Sequence, residues 1–213
     1  VPTGKYIVTT YRIKNDKILS FNNKLIQVNK SGIGNKIFIF AHQNSILYDQ
    51  KAVDASNLII KVNEFDPMAN TIATECNISL AHKYYKQDDF DNSIYHFNEA
   101  LKIQVRLKNK KRQAGLLHWI AYILAEGKSD VQSAQIYFKK AIEEADLSGD
   151  KQLVNQIIYR FGVLNYKTGY YDDAFEYFTA ILNEKYYTKT DFMQDRINYV
   201  NYVLGMMKMK TGK

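Results

Sequence analysis

The sequence predicts an all-α fold, a stack of antiparallel helix hairpins, and three observations carry that expectation. Around residues 81–101, apolar side chains recur at three- and four-residue steps on both sides of a short acidic turn: Ala81, Tyr84 and Tyr85 before it, and Ile94, Phe97, Ala100 and Leu101 after it. Similar turns return at near-constant spacing along the chain. Composition agrees, since 213 residues contain only two Pro and ten Gly, too few for a loop-rich fold. A helical hairpin alone is marginal in water because it cannot bury its own apolar face, so neighbours of the same kind are what stabilise it.

Residues 1–35 are the segment the pattern covers least. KYIVTTYRI (5–13) is β-branched and alternates as a strand would, while the phase of the repeats favours a degenerate helical cap or half-repeat. Helix is the expectation here, with the strand kept as the alternative. Repeats are expected over 36–213, in units of about 36–62, 70–107, 112–147 and 152–187, with a lone helix over about 195–210.

Aligning the second helices puts a small residue at Ala52, Ser93, Ala134 and Ala174, which are 41, 41 and 40 residues apart. Four positions on stand Ser56, Phe97, Phe138 and Phe178, and seven on stand Ile59, Ala100, Ala141 and Ile181. One small, one large and one small or aliphatic residue along a face is what closely packed antiparallel helices require. The turns fall near Gly4, Leu47, Asp88, Gly127, Gly169 and Gly212. Asp88, Asp89 and Asp91 meet the positive end of the following helix dipole, and they lack the mid-loop Gly and closing Glu of a calcium loop.

The run Ala81-His82-Lys83-Tyr84-Tyr85 through Phe90, Ser93, Phe97 and Ala100-Leu101 resembles a tetratricopeptide repeat, as do Gly162, Gly169, Tyr171, Ala174 and Phe178, and Leu204-Gly205 in the last helix. The resemblance covers about residues 36–212. It implies a right-handed superhelical stack, an α-solenoid, whose first helices line a concave groove. The period near 40 exceeds the usual value of about 34, and no Pro closes each unit. The extra residues lie in KNKKRQ (108–113) and LSGDKQ (147–152), which implies longer helices and is similar to repeats of bacterial peptide-pheromone receptors and scaffold adaptors.

Carried over from the family, the groove-lining positions are Glu75, Ile78, His82, Tyr85 and Lys86; His118, Tyr122 and Glu126, with register open by one; Gln156, Tyr159, Val163, Tyr166 and Lys167; and Tyr199, Tyr202, Met206, Met209 and Lys210. Tyr offers large contact area at low rotamer entropy, Met an adaptable apolar surface, and Lys86, Lys167 and Lys210 a hold on a carboxylate. With 17 Tyr in the chain, some of these rings are expected simply to pack between helices.

Little else carries chemistry. Ser31-Gly32-Ile33-Gly34-Asn35-Lys36 lacks phosphate-loop spacing, and His42, His82, His96 and His118 stand singly without metal-ligand spacing. No nucleophile motif is present, and Cys76 falls on an apolar helical face, where a buried inert thiol is expected. The expectation is therefore no enzyme, no cofactor and no metal. No apolar run reaches the roughly 18 residues of a membrane span. Val1 in place of a starting Met reads as an excised or processed piece, and one unpaired-by-number Cys leans toward the cytoplasm.

The formal net charge is +7 and unevenly placed: residues 1–62 hold nine Lys/Arg against three Asp, and a second cluster runs Lys102, Arg106, Lys108, Lys110, Lys111 and Arg112. The leading expectation is a non-catalytic domain that binds a peptide or partner-protein segment, as part of a larger signalling or regulatory protein. The alternatives are the peptide-sensing half of a transcriptional regulator, nucleic-acid binding through the basic clusters, and a self-associating structural stack, with oligomeric state open.

Overall fold

The computed structural model describes residues 5–14, 17–27, 53–54, 57, 64–65, 67–182 and 191–211, and the chain divides into two compact units, Val1–Ile103 and Gln104–Lys213. In the first unit, β1 (Lys5–Lys14) and β2 (Lys17–Gln27) form an antiparallel two-stranded sheet. Tyr6 lies opposite Ile26, Ile7 opposite Leu25 and Tyr11 opposite Phe21, with a bulge between Arg12 and Ile13. This corrects the helical cap expected for the opening 35 residues. Two runs rich in β-branched and aromatic residues, separated by two turn-forming residues, satisfy each other's backbone groups in a hairpin. The unit expected over 36–62 lies almost wholly outside the described residues, apart from helical Val53, Asp54 and Asn57.

The helical part of the first unit is α1 (Pro67–Tyr85) folded against α2 (Phe90–Arg106). The second helix places its small residue, Ser93, against the first, where its hydroxyl donates to the Ala81 carbonyl at 2.8 Å. Phe97 is fully buried one turn on and meets the His82 ring edge-on at 5.2 Å. His96 is hydrogen-bonded through Nδ1 to Asn77 Oδ1 at 2.9 Å and stacks on Tyr84 at 5.4 Å. Cys76 on α1 is also buried, as its place on the apolar face required.

The second unit holds α3 (Lys110–Tyr122), continued by a π-helical turn (Ile123–Gly127), then α4 (Val131–Ser148), α5 (Lys151–Lys167), α6 (Tyr171–Leu182) and α7 (Asp191–Thr211). Helices α3 and α4 form one hairpin, α5 and α6 the next, α4 packs on α5, and α7 closes on α6. The aligned residues of the second helices are the ones that disappear into these seams. Ser93, Ala134 and Ala174, then Phe97, Phe138 and Phe178, then Ala100, Ala141 and Ile181 are at most 1% exposed. Phe138 also stacks on Phe161 across the two hairpins at 5.1 Å.

The repeat is written equally clearly in the backbone. Turns within hairpins place Asp88, Ser129 and Gly169 in the left-handed region, and turns between hairpins place Lys108 and Gly149 there. These positions recur at 41 and 40 residues, and at 41 residues, respectively. The middle turn is therefore made by Ser129 rather than Gly127, which lies inside the π turn. The acidic residues of the turns are helix caps: the side chains of Asp89, Asp130 and Asp150 accept from the backbone N–H groups of Asn92, Ser133 and Leu153. The helical-repeat fold expected from the sequence is the fold observed in the described helices, α1 to α7.

Candidate functional site

Within the second unit the first helices α3 and α5 face each other across an open cleft. Two stripes line it. On α3 and its π turn, Tyr122 and Glu126 stand one turn apart, with Trp119 one turn before them; on α5, Arg160, Val163 and Lys167 stand at steps of three and four. These are residues one to two helical turns apart on a single face, beside the buried stripe of Val154, Ile157, Ile158, Phe161 and Leu164. Phe138 and Leu164, both nearly fully buried, make the apolar floor, and Tyr122, Glu126, Arg160 and Lys167 make the walls.

The polar groups of the cleft are fixed by two contacts. Lys167 Nζ donates to Glu126 Oε1 at 2.9 Å, tying residues 41 apart in sequence. The Arg160 guanidinium lies over the Tyr122 ring, 5.4 Å from its centroid. Among the described residues Arg160 has no carboxylate partner, so its planar set of donors faces the cleft and solvent. Trp119 is 37% exposed and meets Tyr122 edge-to-face at 5.8 Å. On the neighbouring face, Tyr159 of α5 meets Tyr199 of α7 edge-on at 6.0 Å, and Tyr202 beyond it is 64% exposed.

Of the residues expected to line a groove, Tyr122, Glu126, Val163 and Lys167 come together in this cleft. Tyr159 and Tyr199 form a second contact pair, while Gln156, Tyr202, Met206 and Met209 are half-buried or exposed on α5 and α7. Lys210 lies on α7, and its surroundings fall outside the described residues. His118 turns toward the paired helix instead, its ring 5.8 Å from Phe138, and Tyr166 packs on Tyr171. In the first unit Glu75 and Ile78 are half-buried and Lys86 is exposed, whereas Tyr85 packs on Phe90 and His82 on Phe97. Burial, aided by Lys86, holds His82 below the usual imidazole range.

Arg160 and Trp119 were not among the residues expected from sequence. Each stands three residues before a residue that was, Val163 and Tyr122 respectively, so the carried-over pattern skipped the same repeat position twice. The signal was present as the i, i+3, i+7 stripes themselves.

The second basic cluster is partly neutralised. Lys110 pairs with Glu144 and Lys111 with Asp150, each at 2.7 Å, and Lys102 pairs with Glu99 one turn away. Among the described residues, no group of three His, Cys, Asp or Glu side chains is placed to hold a metal ion, and no helix is long and apolar enough to cross a membrane.

Hairpins in register, a shared seam of small and aromatic residues, and a lined face of first helices define a helical-repeat protein. A family model described as "Uncharacterized protein conserved in bacteria (DUF2225)" matches residues 47–210, and the chain belongs to that family. A second model, described as "Putative transmembrane protein (Alph_Pro_TM)", matches residues 1–56. Among curated proteins, the chain is 25% identical over 167 residues to the TPR repeat-containing protein MJ1428 of Methanocaldococcus jannaschii; that alignment covers 76% of this chain and 28% of the relative's length. Among solved structures, that of BtubC (BKLC) from P. vanneervenii superposes with a TM-score of 0.60 at 19% identity, covering 84% of this chain and 75% of that one. That likeness concerns the fold.

Proposed function

We propose that this is a non-catalytic protein-interaction domain whose α3–α5 cleft holds a segment of a partner protein. The observation that carries the reading is the composition of that face. An apolar floor of Phe138 and Leu164 lies between Tyr122, Arg160 and the Glu126–Lys167 pair, so apolar and polar anchors converge on one strip. Such a strip suits a peptide: side chains fill the floor, while Tyr and Arg meet carbonyls and acidic groups at its edges. The tetratricopeptide-like fold, shared with a relative named for those repeats, supports a protein partner over a small-molecule substrate.

The basic cluster gives less support to nucleic-acid binding, because three of its cations already have carboxylate partners. A regulatory role within a larger protein, and a cytoplasmic setting, fit the same reading. The test is selection of binders from a random-peptide display library on the intact chain. Enriched peptides should lose binding to Val163→Glu, which puts a charge on the cleft wall, and keep it for Lys139→Glu on the exposed side of α4. Enrichment of nothing, or of peptides indifferent to Val163→Glu, would refute the reading.

A further inference from the structure

The cleft also has an electrostatic polarity, and from it we infer the chemistry of the segment it takes: an internal acidic residue with an apolar residue two positions away. The inference rests on the proposed function and specifies its ligand. Four observations carry it. Arg160 is the cation of the cleft without a carboxylate, whereas Lys167 is matched by Glu126 at 2.9 Å. The guanidinium carbon lies over the Tyr122 ring, 5.4 Å from its centroid, and a guanidinium with no carboxylate on it can receive one with two parallel hydrogen bonds. Trp119 flanks the same Tyr122 ring on α3, one turn before it, and keeps more than a third of its surface exposed. Glu126 stands one turn beyond Tyr122 on the opposite side, so the Glu126 end disfavours a second acid.

The shared Tyr122 ring brings the two anchors close. The guanidinium lies 5.4 Å from the Tyr122 centroid and the indole 5.8 Å from it. In an extended peptide, alternate side chains point the same way and are about 7 Å apart. Because both groups flank one ring, an acid at one position and a Leu- or Phe-like residue two away, on the same face of the segment, suit the pair, whereas adjacent residues would point to opposite faces. A basic residue at the first position would meet Arg160 and be rejected.

The experiment uses the intact chain, whose single tryptophan, Trp119, reports on the site by its own fluorescence. The probe is an octapeptide of Gly and Ser carrying Asp-Ser-Leu, capped by acetyl and amide so that no terminal carboxylate is present. Saturable change in Trp119 emission is expected, weakened about tenfold when Asp is replaced by Asn, the difference typical of a charge-assisted hydrogen bond. Arg160→Gln should abolish the Asp-over-Asn preference, and Trp119→Ala, followed by anisotropy of a fluorescein-labelled peptide, should abolish the preference for Leu over Ser at the third position. Arg160 is exposed, so circular dichroism of the variant should match the parent.

An Asp-over-Asn ratio that survives Arg160→Gln, or binding only by an uncapped peptide through its terminal carboxylate, overturns the inference. Peptides that bind without acidic preference yet are lost with Val163→Glu would sink the inference while leaving the proposed function standing. If no peptide, capped or uncapped, acidic or not, is lost with Val163→Glu, both fail.

Discussion

Two glycines in equivalent helical settings should respond to alanine with opposite signs. Gly162 sits in the middle of α5, and a Cβ added there would lie 2.7 Å from Phe178 Cε1 and 2.9 Å from Cδ1. Ordinary contact begins at 3.4 Å, so the ring must retreat by at least 0.7 Å. It has nowhere to go, because Phe178 is fully buried in the α5–α6 seam. Gly115 is the contrast: it lies inside α3, and an added Cβ meets nothing within 4 Å. In a helix interior Ala is favoured over Gly by about 1 kcal/mol, while overpacking a well-filled seam costs about 1–3 kcal/mol. Gly115→Ala is thus expected to stabilise by about 0.5–1 kcal/mol and Gly162→Ala to destabilise by about 1–2 kcal/mol. Thermal melts followed by circular dichroism would separate them, at about 2–4 °C per kcal/mol for a chain of this size. Placing Gly162→Ala in a Phe178→Leu background should turn its effect toward stabilisation, since the smaller side chain vacates the contact. If both glycine variants shift in the same direction, or Phe178→Leu gives no relief, the seam is not packed as described.

Three further outcomes follow from the same packing. Phe138→Ala empties a position shared by two hairpins and should cost about 3–5 kcal/mol, read by urea unfolding. Asp150 caps α5 through Leu153 N–H at 2.9 Å and pairs with Lys111; its Ala variant should lose about 1–2 kcal/mol, whereas Asn, which keeps the cap, should lose about 0.5 kcal/mol or less. The Lys111 hydrogen bond and then the Leu153 N–H hold the Asp150 carboxyl below 3.8, so this stabilisation is complete above that pH and lost as pH falls below it. Burial lowers both His82 and His96 from 6.5, opposed at His96 by Glu99 and reinforced at His82 by Lys86. The folded first unit then binds fewer protons than the unfolded chain below 6.5, so α1 and α2 should exchange amide hydrogens faster at pH 5 than at pH 7 after correction for intrinsic rates. Increased protection on acidification would contradict that placement of the two rings.

The hairpins were legible because their information is redundant. Ser93, Ala134 and Ala174 fix how close two helices come, Phe97, Phe138 and Phe178 fill the space between them, and both sets recur at 41 and 40 residues. No single residue needs to be read correctly for the period to emerge. The site was less legible because exposure depends on rotation about each helix axis, and one residue is 100° of rotation. His118 and Trp119 are neighbours in sequence, yet one packs on Phe138 and the other flanks the cleft. The carried-over groove pattern therefore includes Tyr122, Glu126, Val163 and Lys167, which lie together, but not their neighbours Trp119 and Arg160. The π turn was invisible for a related reason: nothing in Ile123-Leu124-Ala125-Glu126-Gly127 distinguishes a wide turn from an ordinary one. At the N-terminus, repeat phase competed with local β propensity. Phase argued for a helix, but pairing of Lys5–Lys14 with Lys17–Gln27 satisfies the backbone of both runs, and the local preference prevailed.

The central claim is that a partner segment lies between α3 and α5, and backbone amide NMR of the intact chain titrated with a display-selected peptide tests it most directly. The account predicts shift changes concentrated at 119–126 and 156–167, with the exposed faces of α4 and α6 unmoved. Changes confined to α4 and α6, or to the basic run 102–112, would contradict it.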